Sequence, residues 1–164
     1  AINLSIALDL YDFLAVSGIN VDLTRNGDYE LYNAGEKRNK SDLYNRLDYI
    51  NSKSNAVLIS IHQNHFENEN EWGTQIWYSE NDEKSKILAD KILFSIKQNL
   101  QQDNKRENKP SGDDYYLLHK ASVPSVMIEC GFMSNTEKNK KLQDIEYQKD
   151  FAFSIRCGIC EDVQ

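Results

Sequence analysis

The 164-residue chain has a formal charge of −7 and a pI near 5.0, with its 19 Lys and Arg scattered rather than clustered. This balance argues against a nucleic-acid binder, which needs concentrated cations against phosphate, and against attachment to an anionic membrane surface. The length is that of one domain with a real core, and no apolar run approaches the roughly 18 residues of a membrane span.

In chain order, Leu4, Ile6, Ala7, Leu8, Leu10, Tyr11, Leu14 and Ala15 recur at helical spacing, with Asn3 as cap and Gly18 as stop. Ile19 to Thr24 alternates apolar and polar residues and predicts a strand. Asn26 to Lys40, rich in Gly, Asn and charge, reads as a loop, after which Ser41 caps a second helix with a stripe of Leu43, Leu47 and Ile50. The run Ala56 to Ile61 has the length and content of a buried strand. A polar loop, Glu67 to Glu71, leads to a strand over Trp72 to Tyr78. Glu83 to Gln101 is an amphipathic helix through Ile87, Leu88, Ile92, Ile96 and Leu100.

Gln102 to Asp114 is thirteen residues whose one apolar member is Pro110, a length of loop that is usually functional or disordered inside a compact domain. Tyr115 to Leu118 reads as a short strand and Val123 to Glu129 as a second core strand. Ser134 or Asn135 caps a short helix, and Ile145 to Cys160 forms a terminal one along Phe151, Ala152, Ile155 and Ile159. There are no internal repeats. Strands alternating with helices predict an α/β domain, a central mixed, largely parallel twisted sheet with helices on both faces.

Two apolar runs end on ionisable side chains. The first reaches His62 and Asn64, which alternation places on one face, and the second ends on Glu129. In open α/β sheets ligands bind beyond the carboxyl ends of strands, so this pair marks a candidate site. His62 reads either as a hydrogen-bonded strand-end histidine or as a metal ligand or base. Glu129, following a buried run, needs compensation for lost hydration. A salt bridge to Arg25 or Arg46 would supply it, and so would a metal-bound water whose proton the carboxylate takes.

On a strand His65 faces away from His62, and His119 precedes a turn. Arg106 and Lys109, in the long loop, are anion-binding candidates if that loop lies at the cleft. Cys157-Gly158-Ile159-Cys160 has the spacing of a redox or zinc pair but no second pair accompanies it, and Cys130 reads as core. The chain opens on Ala1 almost at the start of a helix, without a signal peptide, and reads as a processed or incomplete product. Three cysteines define no redox compartment.

Taken together, the residues resemble the zinc-dependent N-acetylmuramoyl-L-alanine amidases of the Amidase_3 family. The matching pieces are Asn3-Leu4, Thr24-Arg25, Asp28, Leu43, Arg46, Ser60-Ile61-His62-Gln63-Asn64 and Gly73. They continue with Pro124, the stretch Glu129-Cys130-Gly131-Phe132-Met133-Ser134-Asn135, and Tyr147-Gln148. Glu-Cys-Gly-Phe, with Asn104, Arg106 and Lys109 ahead of it, looks most like the spore-cortex branch, the CwlD type, which acts on the way to muramic-δ-lactam.

The resemblance implies a zinc held by two His and one Glu, with a second Glu as catalyst. Carried over by position, His62 is a metal ligand and Glu129 the catalytic glutamate, while Asn64, Arg106 and Lys109 are candidate substrate-binding residues. The other two ligands belong to segments expected upstream of Asn3, so this chain is expected to be an N-terminally incomplete amidase domain, metal-depleted and inactive as it stands. The implied substrate is the amide between N-acetylmuramic acid and L-alanine in peptidoglycan. The implied setting is an exported enzyme of the cell wall or of the intermembrane space of the developing spore, with an activating protein partner conceivable. One rival is a non-catalytic peptidoglycan- or partner-binding domain that has lost its metal. Another is a different metallohydrolase using His65 or Cys130.

Overall fold

A computed structural model describes residues 2–160. Its centre is the strand β4 (Ser125–Phe132), buried at all eight positions, as its nearly unbroken apolar run requires of a strand covered on both faces. β1 (Leu58–Asn64) pairs with one side of it in parallel, and β2 (Gln75–Tyr78) with the other side antiparallel. β3 (Lys109–Pro110) adds to β2 in parallel, giving the order β1-β4-β2-β3. Two of these three pairings are parallel, so the mixed, largely parallel sheet inferred from the sequence is the one found.

Alternation along β4 divides the domain. Val126, Ile128 and Cys130 point into the main core with residues of α1 (Ile2–Val16), α3 (Glu83–Asn99) and α6 (Ile145–Cys160). Each fully buried aliphatic side chain there contributes about 1.5–3 kcal/mol. On the opposite face a smaller cluster joins Ile50 of α2 (Arg38–Asn51) to Ala121, Val123 and Leu117, the last from α4 (Tyr116–Lys120). Helices therefore cover both faces. α5 (Thr136–Gln143) packs on β4 and α6. No described helix is long and apolar enough to cross a membrane.

The strongest sequence signals have local chemistry behind them. Gly18, at φ +77°, ends α1 in the left-handed conformation, with Ile19 N bonded to Leu14 O and Gly18 N to Ala15 O. Asp82 caps α3 by accepting from Lys84 N at 2.8 Å, and Asn135 caps α5 by accepting from Lys138 N at 2.9 Å. α6 spans the predicted residues.

Several expectations need correction. Asn3 lies inside α1, and Ser41 lies inside α2, which begins at Arg38; the buried Ser41 hydroxyl accepts from Asn33 N. Residues 19–24 form no strand among the described residues: Ile19 and Val21 pack partly against the core, but the segment has no ladder partner. Tyr115 to Leu118 is not a strand either. Tyr115 precedes the helix α4, whose last carbonyls accept from the side chains of Ser79 and Asn81, a tertiary substitute for the missing next turn. β1 is a half-buried edge strand rather than a buried one, and Ile87 of α3 faces solvent. The long polar loop is ordered and supplies β3.

α3 and α6 meet at Gly158, where an added Cβ would lie 2.6 Å from Ile92 Cα and 2.8 Å from Lys91 O. Gly to Ala normally favours a helix, yet backbone atoms cannot yield here. Gly158→Ala is therefore expected to destabilise the fold by about 1–3 kcal/mol, as overpacking does, measured as a lower urea midpoint. Cys130 is fully buried and burial pushes its thiol up to about 12, whereas Cys157 and Cys160 are free and half-buried. Iodoacetamide at neutral pH is expected to label Cys157 and Cys160 in the native protein and to reach Cys130 only after unfolding.

Candidate active site

Because β1 and β4 run parallel, their carboxyl ends lie together, and the register places His62 directly beside Glu129. On the other flank Gln75 of β2 opposes Glu129. All three belong to the sheet face turned away from the α1–α3–α6 core, since their neighbours Ile61, Ile76 and Ile128 belong to that core. The register shifts between His62 and Asn64, so that Asn64 pairs with Phe132. From there Asn64 Nδ2 donates to Glu129 Oε2 at 2.5 Å, while Asn64 Oδ1 accepts from His65 N at 2.7 Å. The amide of Asn64 is thus tied to the carboxylate rather than to His62.

Glu129 is 8% exposed. Burial raises its pKa, and this outweighs the opposing influences of Trp77, Asn64, Arg106 and Lys109. Neither Arg25 nor Arg46 provides the compensation. Arg46 bonds Asp42 and Thr24 Oγ1, each at 2.8 Å, and Arg25 bonds Gly27 O. The nearby cations come instead from the long loop, which sequence separation alone could not place against residue 129.

That loop is held tightly. Asn104 donates to Thr74 O and to Gln101 Oε1, and accepts from Arg106 N. Gly73, at φ +91°, lies against it so closely that a Cβ would come within 2.6 Å of Asn104 Oδ1. Gln75 Nε2 donates to Glu107 O, and Lys97 Nζ to Arg106 O. The Arg106 guanidinium pairs with Glu71, donates to Trp72 O and stacks 4.4 Å from the Phe132 ring centre. Lys109, exposed, sits 5.7 Å from the Trp77 ring centre. Arg106 is therefore a braced part of the wall and Lys109 the more available cation.

The His62 side chain is open to solvent, with Nε2 3.1 Å from Ser60 Oγ. Packing around the ring and then the positive Arg46 hold its pKa below the usual imidazole value. This shift favours the neutral form, which binds a metal or accepts a proton. His65 lies in an exposed loop. His119 lines a cavity of about 350 Å³ with Ser79, Glu80, Asn81, Gly112 and Asp113. That cavity is at the opposite end of β4, where Ser79 N bonds Ser125 O. Among the described residues no group of three His, Cys, Asp or Glu side chains is placed to hold a metal. One neutral imidazole beside one carboxylate does not by itself fit a catalytic zinc, which takes three protein ligands and a water.

Gln75, Trp77 and Tyr115 also belong to the site. Trp77 and Tyr115 pack at 5.2 Å between centroids with their ring planes tilted by 45°, and the Glu129 charge helps to raise the Tyr115 pKa, after burial. Alternation within Gln75–Tyr78 marks 75 and 77 as one face. Only the pairing with β4 shows that this face carries Glu129.

A family model described as N-acetylmuramoyl-L-alanine amidase matches residues 1–161. The germination-specific N-acetylmuramoyl-L-alanine amidase of Bacillus subtilis is 30% identical over 96% of this chain and 68% of its own length. The CwlD amidase from Clostridioides difficile, solved in complex with the GerS lipoprotein, superposes with a TM-score of 0.92 at 39% identity, covering 98% of this chain and 83% of that one. The amidase AmiC2 of Nostoc punctiforme gives a TM-score of 0.83 at 25% identity, covering 99% and 83%. With the family model covering nearly every residue and these relatives sharing the fold, the chain belongs to the Amidase_3 family of N-acetylmuramoyl-L-alanine amidases.

Proposed function

We propose that the parent site hydrolyses the amide joining the lactyl group of N-acetylmuramic acid to L-alanine, with Glu129 as its general base and acid. The observation that carries this reading is a buried carboxylate at the carboxyl end of the central strand, directly beside a histidine, with burial raising the pKa of the first and lowering that of the second. Such a carboxylate takes a proton from the attacking water and delivers it to the alanine nitrogen as the C–N bond breaks. Asn64 keeps the carboxylate in place. Lys109, with Arg106 behind it, gives the anionic stem peptide a positive wall.

His62 is proposed as one ligand of the zinc implied by the family resemblance. The proposed setting is spore cortex maturation, in an exported protein acting in the cell wall or in the intermembrane space of the developing spore. The similarity to a germination-specific amidase and to CwlD supports it. An activating protein partner is proposed because CwlD was solved with a lipoprotein. The lack of three convergent metal-binding side chains among the described residues favours a second reading, a peptidoglycan- or partner-binding domain.

Glu129→Gln in the active, full-length enzyme is expected to lower kcat by about 10²–10⁴-fold while muropeptide binding persists. Retained turnover would remove Glu129 from its role. The base works ionised and its pKa is raised, so the wild-type rate should fall with decreasing pH through a midpoint above the ordinary carboxylate value. Elemental analysis of the purified 164-residue chain is expected to show less than one zinc per chain, against one in an upstream-extended form. Tight stoichiometric zinc in the short chain would instead point to His65, His119 or the cysteines. Muropeptide binding without zinc or turnover in both forms would establish the binding-domain reading.

A further inference from the structure

The buried indole N–H of Trp77 meets no acceptor in strict hydrogen-bond geometry, although Trp77 acts on Glu129 as a side-chain hydrogen-bond donor that lowers its pKa; a donor sealed from water and left unpaired is unfavourable. The sheet narrows what could satisfy it. Trp77 opposes Met127 in the antiparallel β2/β4 pair, and Gln75, on the same face, opposes Glu129. Trp77 and Glu129 are therefore diagonal neighbours, a separation that a long aromatic side chain spans. The other contacts of the ring do not supply an acceptor: Tyr115 packs ring against ring, and Lys109 carries donors only. The Glu129 carboxylate, bonded by Asn64 at one oxygen, retains acceptor capacity.

We propose that Trp77 is a positioning residue for Glu129. Its indole N–H donates to the carboxylate from the β2 side while Asn64 donates from the β1 side. The side chain on the central strand is then held between its two flanking strands, with acceptor capacity left for a water. The catalytic meaning of this hold rests on Glu129 being the general base; the hydrogen bond itself does not. Trp77 is suited to the task because its ring packs against Tyr115, so the donor is oriented before substrate arrives.

A ¹H–¹⁵N spectrum of the 164-residue chain at one neutral pH tests the hydrogen bond. The two tryptophans give two indole signals, assigned with Trp77→Phe or, should that variant not fold, with Trp72→Phe. The Trp77 indole proton is expected downfield of that of Trp72, and Glu129→Gln should move it upfield, because a neutral amide accepts more weakly, while Trp72 stays in place. An indole signal of Trp77 indifferent to Glu129→Gln overturns the proposal. In the active, full-length enzyme Trp77→Phe should lower kcat by about tenfold with KM unchanged; a change confined to KM overturns the positioning role. Turnover retained by Glu129→Gln would instead remove the general-base reading and leave the indole shift standing.

Discussion

Desolvation of one carboxylate organises this domain. Glu129 sits at the end of a strand buried along its whole length, where an ionised group loses its hydration and must find partners or change its pKa. Both happen. Asn64 bonds it from β1, the 102–110 loop brings Arg106 and Lys109 near it, and the pKa remains raised. The result is a carboxyl group whose pKa lies above that of a surface glutamate, arising from burial with incomplete compensation. Such a balance is common in hydrolytic sites, where a proton must be both taken and returned.

The helix layer makes that balance possible by keeping the strand where it is. Val126, Ile128 and Cys130 anchor β4 into the α1–α3–α6 core from the side opposite Glu129. The close approach of α3 to α6 at Gly158 removes the space in which that core could loosen. The loop carrying Arg106 is fixed from the sheet side through Asn104 and Gly73 and from α3 through Lys97. Arg106 is therefore part of a braced wall beside the carboxylate. Arg106, engaged by Glu71, Trp72 and Phe132, acts mainly as fixed charge, which leaves Lys109 as the side chain with freedom to meet a ligand.

The metal question separates the family from the chain. Membership of the Amidase_3 family rests on a match over residues 1–161, and the shared fold on superposition with CwlD over 98% of the chain. Within residues 2–160 the structure brings Glu129 and His62 together at the carboxyl ends of β4 and β1, and no group of three His, Cys, Asp or Glu side chains is placed to hold a metal. Arg46, paired with Asp42 and Thr24, helps to keep that histidine neutral.

Local patterns in the sequence determined the long elements and the candidate pair. The 3.6-residue period of α3 and α6, the apolar run of β4 and the placement of His62 and Glu129 at strand ends all follow from residues within a few positions of each other. The motif order from Asn3 to Gln148 was enough to indicate the family. What only the tertiary structure decided depends on partners distant in the chain. Residues 19–24 alternate like a strand, yet a strand exists only where another backbone completes its hydrogen bonds. Tyr115 to Leu118 looks extended, yet Ser79 and Asn81 accommodate it as a helix end. The partners of Glu129 are likewise non-local: Asn64 is 65 residues away, and Trp77 and Lys109 meet the site only because β2 pairs antiparallel with β4 and β3 adds beyond it. Periodicity tells which side of a strand a residue occupies. Which strand lies next to it, and therefore which charges and donors a buried carboxylate meets, is set by pairing and burial across the whole sheet.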